Sequence, residues 1–161
     1  MFTKHYGVLD FFTHGKEFKV WGNSTPFSPC ICYEETFSEL IRKAKLMGSH
    51  LMINLTNDNY YPDSILHRQH LFHARLRTVE NGIPLIRSCN AGISAAIDSS
   101  GQIVAQMDEN QSGVLNCRLS SYVYRPSFSF YGEWGVISFL ILIGSCCWIF
   151  SYYIKNEFQE S

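Results

Sequence analysis

The chain has 161 residues, 46% of them hydrophobic and 17% charged, with 13 Lys+Arg against 14 Asp+Glu. That is one domain's worth of core-forming chain, which excludes a disordered tail and a multidomain machine. A net charge of −1 offers no surplus of cations for phosphates, which argues against nucleic acid as a partner.

Met1 to Lys19 has no apolar run of the length a signal peptide needs. The first 29 residues are aromatic and irregular, ending in the turn-forming Asn23-Ser24-Thr25-Pro26 and Ser28-Pro29. Cys30 to Tyr33 reads as a short strand. Glu34 to Met47 carries Phe37, Leu40, Ile41 and Ala44 at helical spacing and is stopped by Gly48. His50 to Leu55 is an apolar strand, and Thr56 to Asp63 a polar, aromatic loop after it, a favoured place for site residues in an α/β protein. A second helix is predicted from Ser64 to Asn81, with Ile65, Leu66, Leu71, Leu76 and Val79 apolar and Gly82 as its stop. Pro84 to Ser88 and Ile93 to Ile97 read as strands about an Asn90-Ala91-Gly92 turn. Asp98 to Gly101 reads as a hairpin connection into Gln102 to Met107, and Gly113 to Leu119 as one more strand. Strand and helix alternate before a run of strands, which gives a layered α/β body over 1–119. A Ser/Tyr/Phe-rich connector, 120–133, follows.

From Trp134 to Ile154 there is no charged residue. As a helix these 21 residues span about 32 Å at about 1.5 Å per residue, against a hydrocarbon core of about 30 Å, so a transmembrane helix is expected over 134–154 with a short tail at 155–161. Trp134 at one end and Trp148, Tyr152 and Tyr153 towards the other suit the interfaces. Arg125 and Glu133 on one flank and Lys155, Glu157 and Glu160 on the other give no orientation by positive charge.

Of six cysteines, Cys146 and Cys147 lie in the apolar span and the rest lack a disulfide-framework spacing. Cys30 and Cys32 share one face of an extended strand, but no second Cys pair completes a metal site. Cys32 is followed at once by Tyr33, Glu34 and Glu35. At a strand-to-helix turn it is a candidate nucleophile, because a helix start favours a thiolate, but local pattern alone favours the small buried hydrophobe that most free cysteines are. His67, His70 and His73 step round the predicted helix by about 60° per three residues, so polar and packing roles are expected rather than one shared ion. Arg75, Arg77 and Arg87 are expected to make internal ion pairs.

Several blocks in register resemble one family: Cys30-Ile31-Cys32-Tyr33-Glu34, Thr56-Asn57-Asp58-Asn59-Tyr60-Tyr61, Gln69 to Arg77, then Glu80, Pro84, Arg87-Ser88, Asn90-Ala91-Gly92-Ile93-Ser94 and Gly101. Across roughly Pro29 to Val104 they resemble the C-terminal part of the apolipoprotein N-acyltransferases, membrane enzymes of the nitrilase superfamily. The resemblance implies a partial nitrilase-like α-β-β-α sandwich followed by one transmembrane helix. It implies Cys32 as the nucleophile that takes an acyl chain from a phospholipid, as a thioester, and passes it to the N-terminal diacylglyceryl-cysteine of an apolipoprotein. Glu34 would support the site, and Tyr33, Asn57, Asp58 and Tyr60 would lie at the substrate. No metal or organic cofactor is required. The implied location is the bacterial inner membrane, catalytic part towards the periplasm.

The sequence departs from the family at defined points. Phe2-Thr3-Lys4 resembles the Tyr-x-Lys of the catalytic lysine, which makes Lys4 the candidate, but Gly7 to Phe12 replaces the Leu-Val-Pro-Phe-Gly-Glu run that should follow. The upstream catalytic Glu and the N-terminal membrane helices have no counterpart, and Tyr60-Tyr61-Pro62 replaces Trp-Phe-Gly. The expectation is therefore a fragment whose domain an upstream chain completes. A non-catalytic membrane-anchored remnant or partner subunit, and a nitrilase-like amidase, stand as alternatives.

Overall fold

In a computed structural model, residues 17–60, 64–120 and 122–160 are described. Strand β1 (Phe27–Ile31) runs into a 3-10 turn (Cys32–Thr36) and then α1 (Ser38–Leu46). Next come β2 (Leu51–Asn57), α2 (Leu66–Asn81), β3 (Leu85–Asn90), β4 (Ser94–Ile97), β5 (Ile103–Met107) and a long helix α3 (Ser127–Glu160). The five strands form one sheet in chain order, β1 to β3 parallel and β4 and β5 antiparallel. The two parallel connections pass through α1 and α2, as parallel pairing requires.

Period-two alternation decides the core. Cys30, Met52, Leu85, Ala95 and Ile97 point from the strands towards the helices, where Ile41 and Ala44 of α1 and Leu71 and Ala74 of α2 meet them. Each large aliphatic side chain buried here contributes about 1.5–3 kcal/mol. The opposite face of β1 to β3 stays open, with Ile31, Leu55 and Ile86 exposed.

The strand-helix alternation holds from Phe27 to Met107, with three corrections. The predicted Glu34–Met47 helix is two pieces, because Cys32 to Thr36 closes a 3-10 turn before α1 starts at Ser38. Gly113 to Leu119 is not a strand: it joins no ladder, and Val114 is exposed. The connector is helical from Ser127, and α3 is interrupted at Gly132, whose backbone (φ 57, ψ −153) is not helical.

Helix α2 buries a different face from the one its apolar residues suggest. Ile65, Leu76 and Val79 are exposed, while His67, His70, Leu71, Ala74, Arg77, Thr78 and Asn81 are buried. Polar side chains tolerate that position because they find partners there: Thr78 donates to the Arg75 carbonyl at 2.8 Å and Asn81 to the Arg77 carbonyl at 3.0 Å. Gly82 ends the helix in the left-handed region (φ 62), its N–H donating to the Thr78 carbonyl at 2.7 Å. A Cβ there would also stand 2.4 Å from the Tyr124 carbonyl oxygen, so the chain leading to α3 packs where only glycine fits.

A cysteine elbow over a buried ion-pair network

Cys32 ends β1 and begins the turn with φ 52, in the left-handed region. A non-glycine residue there costs about 1–3 kcal/mol and persists only when its surroundings impose it. Three contacts do so. Glu34 reaches back so that its Oε2 accepts the Ile31 N–H at 2.7 Å, Asn54 Nδ2 donates to the Cys32 carbonyl at 2.9 Å, and Thr36 Oγ1 donates to the Tyr33 carbonyl at 2.8 Å. A strand-to-helix turn of this kind lifts a side chain off the sheet into reach of a substrate. Cys32 is half-buried, whereas Cys30, two residues earlier, is sealed in the core and its thiol is pushed up to about 12 by burial.

Beneath the elbow lies a buried charged network. Glu35 is fully buried and pairs through Oε1 with Arg87 Nη1 and, at 3.0 Å, with His70 Nε2. Arg87, on β3, is 1% exposed and its Nη2 donates to Asp58 Oδ2 at 2.6 Å. His70 Nδ1 faces Asp58 Oδ1 at 3.0 Å. Two carboxylates, a guanidinium and an imidazole thus neutralise one another by proximity, as buried charges must, although Glu35 Oε2 has no hydrogen-bond partner among the described residues. Burial pushes the Asp58 carboxyl up, but the hydrogen bond and charge of His70 and the bond from Thr56 outweigh it and hold it below the usual range. Burial likewise lowers Arg87. Neighbouring His67 sits between the Asp58 carbonyl oxygen (3.0 Å) and Glu109 Oε2 (3.2 Å). Its burial opposes charge, but these two acceptors prevail and raise its pKa.

The elbow opens on a hollow of about 600 Å³ whose walls include Cys32, Asn57, Tyr60, Cys89 and Asn90. Its floor is the uncovered sheet face, through Ile31, Leu55 and Ser88. The structure therefore brings Cys32, Asn57 and Tyr60 together. Asn57 turns the loop, its Oδ1 accepting the Asn59 N–H at 3.1 Å, and Tyr60 is 79% exposed. Tyr33, half exposed, places its ring 5.5 Å from that of His70. Asp58, expected at the substrate, lies behind the hollow instead, 3% exposed and held by Arg87 and His70. Glu34 is exposed and caps the turn. Lys4 lies outside the described residues. Of the arginines, Arg77 pairs with Glu80 at 3.0 Å, and Arg75 donates to the Gly101 carbonyl at 2.8 Å.

His70 is expected from sequence in a polar role and Glu35 stands beside Cys32, but their pairing under the elbow escaped the sequence reading. A signal was available in β3: alternation puts Arg87 on the same face as Leu85, and a cation at a core position demands buried anions.

The model of the family described as Carbon-nitrogen hydrolase matches residues 10–125. The apolipoprotein N-acyltransferase of Chlamydia caviae is 39% identical over 123 residues, covering 73% of this chain and 23% of that protein. That of Photobacterium profundum is 37% identical over 107 residues, 66% of this chain and 21% of that protein. The chain thus spans less than a quarter of the length of these curated relatives. Among solved structures, the carbon-nitrogen hydrolase of Helicobacter pylori G27 superposes with a TM-score of 0.56 at 14% identity, over 60% of this chain and 41% of that one. A mutant amidase of Nesterenkonia sp. AN1, showing Michael addition of acrylamide at its active site cysteine, gives 0.56 at 19%, over 80% and 50%. These two likenesses show the fold.

Proposed function

The chain belongs to the carbon-nitrogen hydrolase family, and from that premise we propose that it is the nucleophile-bearing part of an apolipoprotein N-acyltransferase, with Cys32 as the acyl carrier. The observation that carries the reading is the strained elbow: a left-handed cysteine, pinned by Asn54 and Glu34, on the wall of an open hollow. An inferred role follows from an observed backbone outlier here, not the reverse.

In the first step the Cys32 thiolate attacks the ester carbonyl of a phospholipid acyl chain. The C–S bond forms, the ester C–O bond breaks, and the lysophospholipid alkoxide takes up the proton the thiol gave to a general base. In the second step the α-amine of the apolipoprotein's diacylglyceryl-cysteine attacks the thioester. The C–N bond forms, the C–S bond breaks, the thiolate returns, and the amine's proton goes to the base. Dividing an ester-to-amide transfer into two acyl steps is what covalent catalysis offers.

Among the described residues, the carboxylates beside Cys32 are both engaged, Glu34 with the Ile31 N–H and Glu35 with Arg87 and His70. Neither of these two carboxylates is free to act as the base, and Lys4 is assigned to the stabilisation of the tetrahedral intermediate. The network under the elbow serves as a rigid platform that keeps Cys32 in place. Asn57 and Tyr60 line the path of the substrate. The stretch Ser127–Tyr152, of mean hydropathy 2.0, is long and apolar enough to cross a membrane. It anchors the domain in the bacterial inner membrane with the hollow on the periplasmic side.

The test is expression of this chain with phospholipid and an apolipoprotein, alone and with an upstream chain carrying the missing Glu and membrane helices. The expected result is N-acylation only in the combination, lost in Cys32→Ser. Efficient turnover by this chain alone refutes the division of the enzyme. Turnover surviving Cys32→Ser refutes the nucleophile.

A further inference from the structure

We propose that the outer polar face of α1 is a rail that fixes where the apolar helix leaves the domain, with Arg42 as the positioning residue, so that α3 emerges beside the Cys32 elbow. The inference rests on the reading of α3 as a membrane helix and is separate from the chemistry assigned to Cys32.

Ser38, Arg42 and Lys45 stand four and three residues apart and so share one face of α1. Each holds a different point of the chain that leads from β5 through the first turns of α3. Lys45 Nζ donates to the Tyr124 carbonyl at 3.0 Å. Arg42 Nη1 is 3.4 Å from the carbonyl oxygens of both Ser129 and Phe130. Ser38 Oγ donates to Glu133 Oε1 at 2.8 Å. As the chain advances from Tyr124 to Glu133, its anchors step back along α1 from Lys45 to Ser38. The connector therefore runs antiparallel to α1 and delivers α3 to the end of α1 that follows the Cys32–Thr36 turn.

The interruption at Gly132 gives Arg42 its function. The kink there places the carbonyls of Ser129 and Phe130 within reach of Arg42 Nη1, and a cation at such a break is favoured. The guanidinium is already oriented, because Nε and Nη2 bind Glu39 at 2.8 and 2.9 Å, which leaves Nη1 to face the broken turn. Gly132 has a positive φ, and a Cβ on it would stand 3.1 Å from Arg42 Nε. Position 132 therefore favours glycine for its backbone, and a side chain there would also crowd Arg42.

Were these ten residues, Tyr124 to Glu133, a free tether, their ends would lie about 17 Å apart on average, a scale at which Cys32 could stand at many heights over the bilayer. The rail removes that freedom. It also brings two exposed aromatics to one end of the domain, Phe37 beside Ser38 and Trp134 beside Glu133, a composition suited to the bilayer interface.

The experiment uses the full chain in phosphatidylcholine vesicles. Cys32 is alkylated with a lipid-tethered maleimide and, separately, with a water-soluble one, and labelling is resolved by peptide mass spectrometry against exposed Cys117. In the wild type the tethered reagent reaches Cys32. In Arg42→Ala the tethered-to-soluble ratio at Cys32 falls about fivefold as the thiol samples a tether-length range of heights, while the circular dichroism spectrum is unchanged, and Arg42→Lys recovers part of the ratio. An unchanged ratio in a folded, inserted Arg42→Ala overturns the rail. If Arg42→Ala does not accumulate, the milder pair Ser38→Ala with Glu133→Gln is read the same way, and an unchanged ratio there overturns the rail equally. Extraction of the wild-type chain by alkali overturns the rail together with the membrane reading. Failure of acyl transfer leaves the ratio, and hence the rail, standing.

Discussion

Replacing Arg87 by Met keeps most of the side chain's length and removes its charge. The structure predicts a large loss, because Glu35 at 0% and Asp58 at 3% exposure would be left as buried carboxylates without their guanidinium. Breaking a buried pair from one side costs about 3–5 kcal/mol. His70 remains between the two acids as a hydrogen-bond partner, which places the loss near 3 kcal/mol, at the lower end of that range. For a domain of this size the loss lowers Tm by about 12–24 °C. The assay is thermal and urea unfolding of the full chain in detergent, followed by circular dichroism. Adding Glu35→Gln and Asp58→Asn removes the stranded charges and recovers more than half of the loss. The sign of the pH effect is fixed as well. In Arg87→Met the unpaired acids have raised folded pKa values, so the deficit shrinks as pH falls towards the carboxylate range. A single variant within 1 kcal/mol of the wild type, about the cost of one ordinary hydrogen bond, or a triple variant no better than the single, refutes the network.

Three other outcomes are expected. Cys32→Gly relieves the left-handed strain at φ 52 and raises stability by up to about 1 kcal/mol while abolishing any acyl adduct; a destabilised variant contradicts the strained elbow. Asn54→Ala removes the donor to the Cys32 carbonyl from a fully buried site and costs about 1–3 kcal/mol in urea unfolding, with a smaller effect arguing against Asn54 as the elbow's pin. The raised pKa of His67 contributes stability that is fully present below its unfolded value of about 6.5 and is lost as pH rises through the folded value. Glu109→Gln therefore lowers Tm at acidic pH more than at alkaline pH, and equal losses at both would show that the 3.2 Å contact does not matter.

The sequence made the sheet legible because its signals are local. Apolar β2 and β3 flank a helix closed by Gly82, and Asp98 organises its turn by accepting the N–H groups of Ser100 and Gln102 at 2.9 Å. Non-local signals were harder to read. The buried face of α2 is defined by partners on other elements: Asp58 on the loop after β2 and Glu35 on the turn after β1 choose His67 and His70 over Leu76 and Val79. The break at Gly132 depends on a guanidinium from α1, far away in sequence. At the candidate site, Cys32 could be named from its place after a strand, and Asn57 and Tyr60 from the family resemblance, but the left-handed φ that distinguishes Cys32 from Cys30 exists only in three dimensions.

Incubation of the completed assembly with a phospholipid bearing a labelled acyl chain, in the absence of acceptor, tests the account most directly. Fragmentation by tandem mass spectrometry then locates the trapped label. The account predicts a hydroxylamine-sensitive acyl thioester on residue 32, absent in Cys32→Ser although that protein accumulates normally. A label that sits on Cys89 instead, or that persists after the substitution, contradicts it.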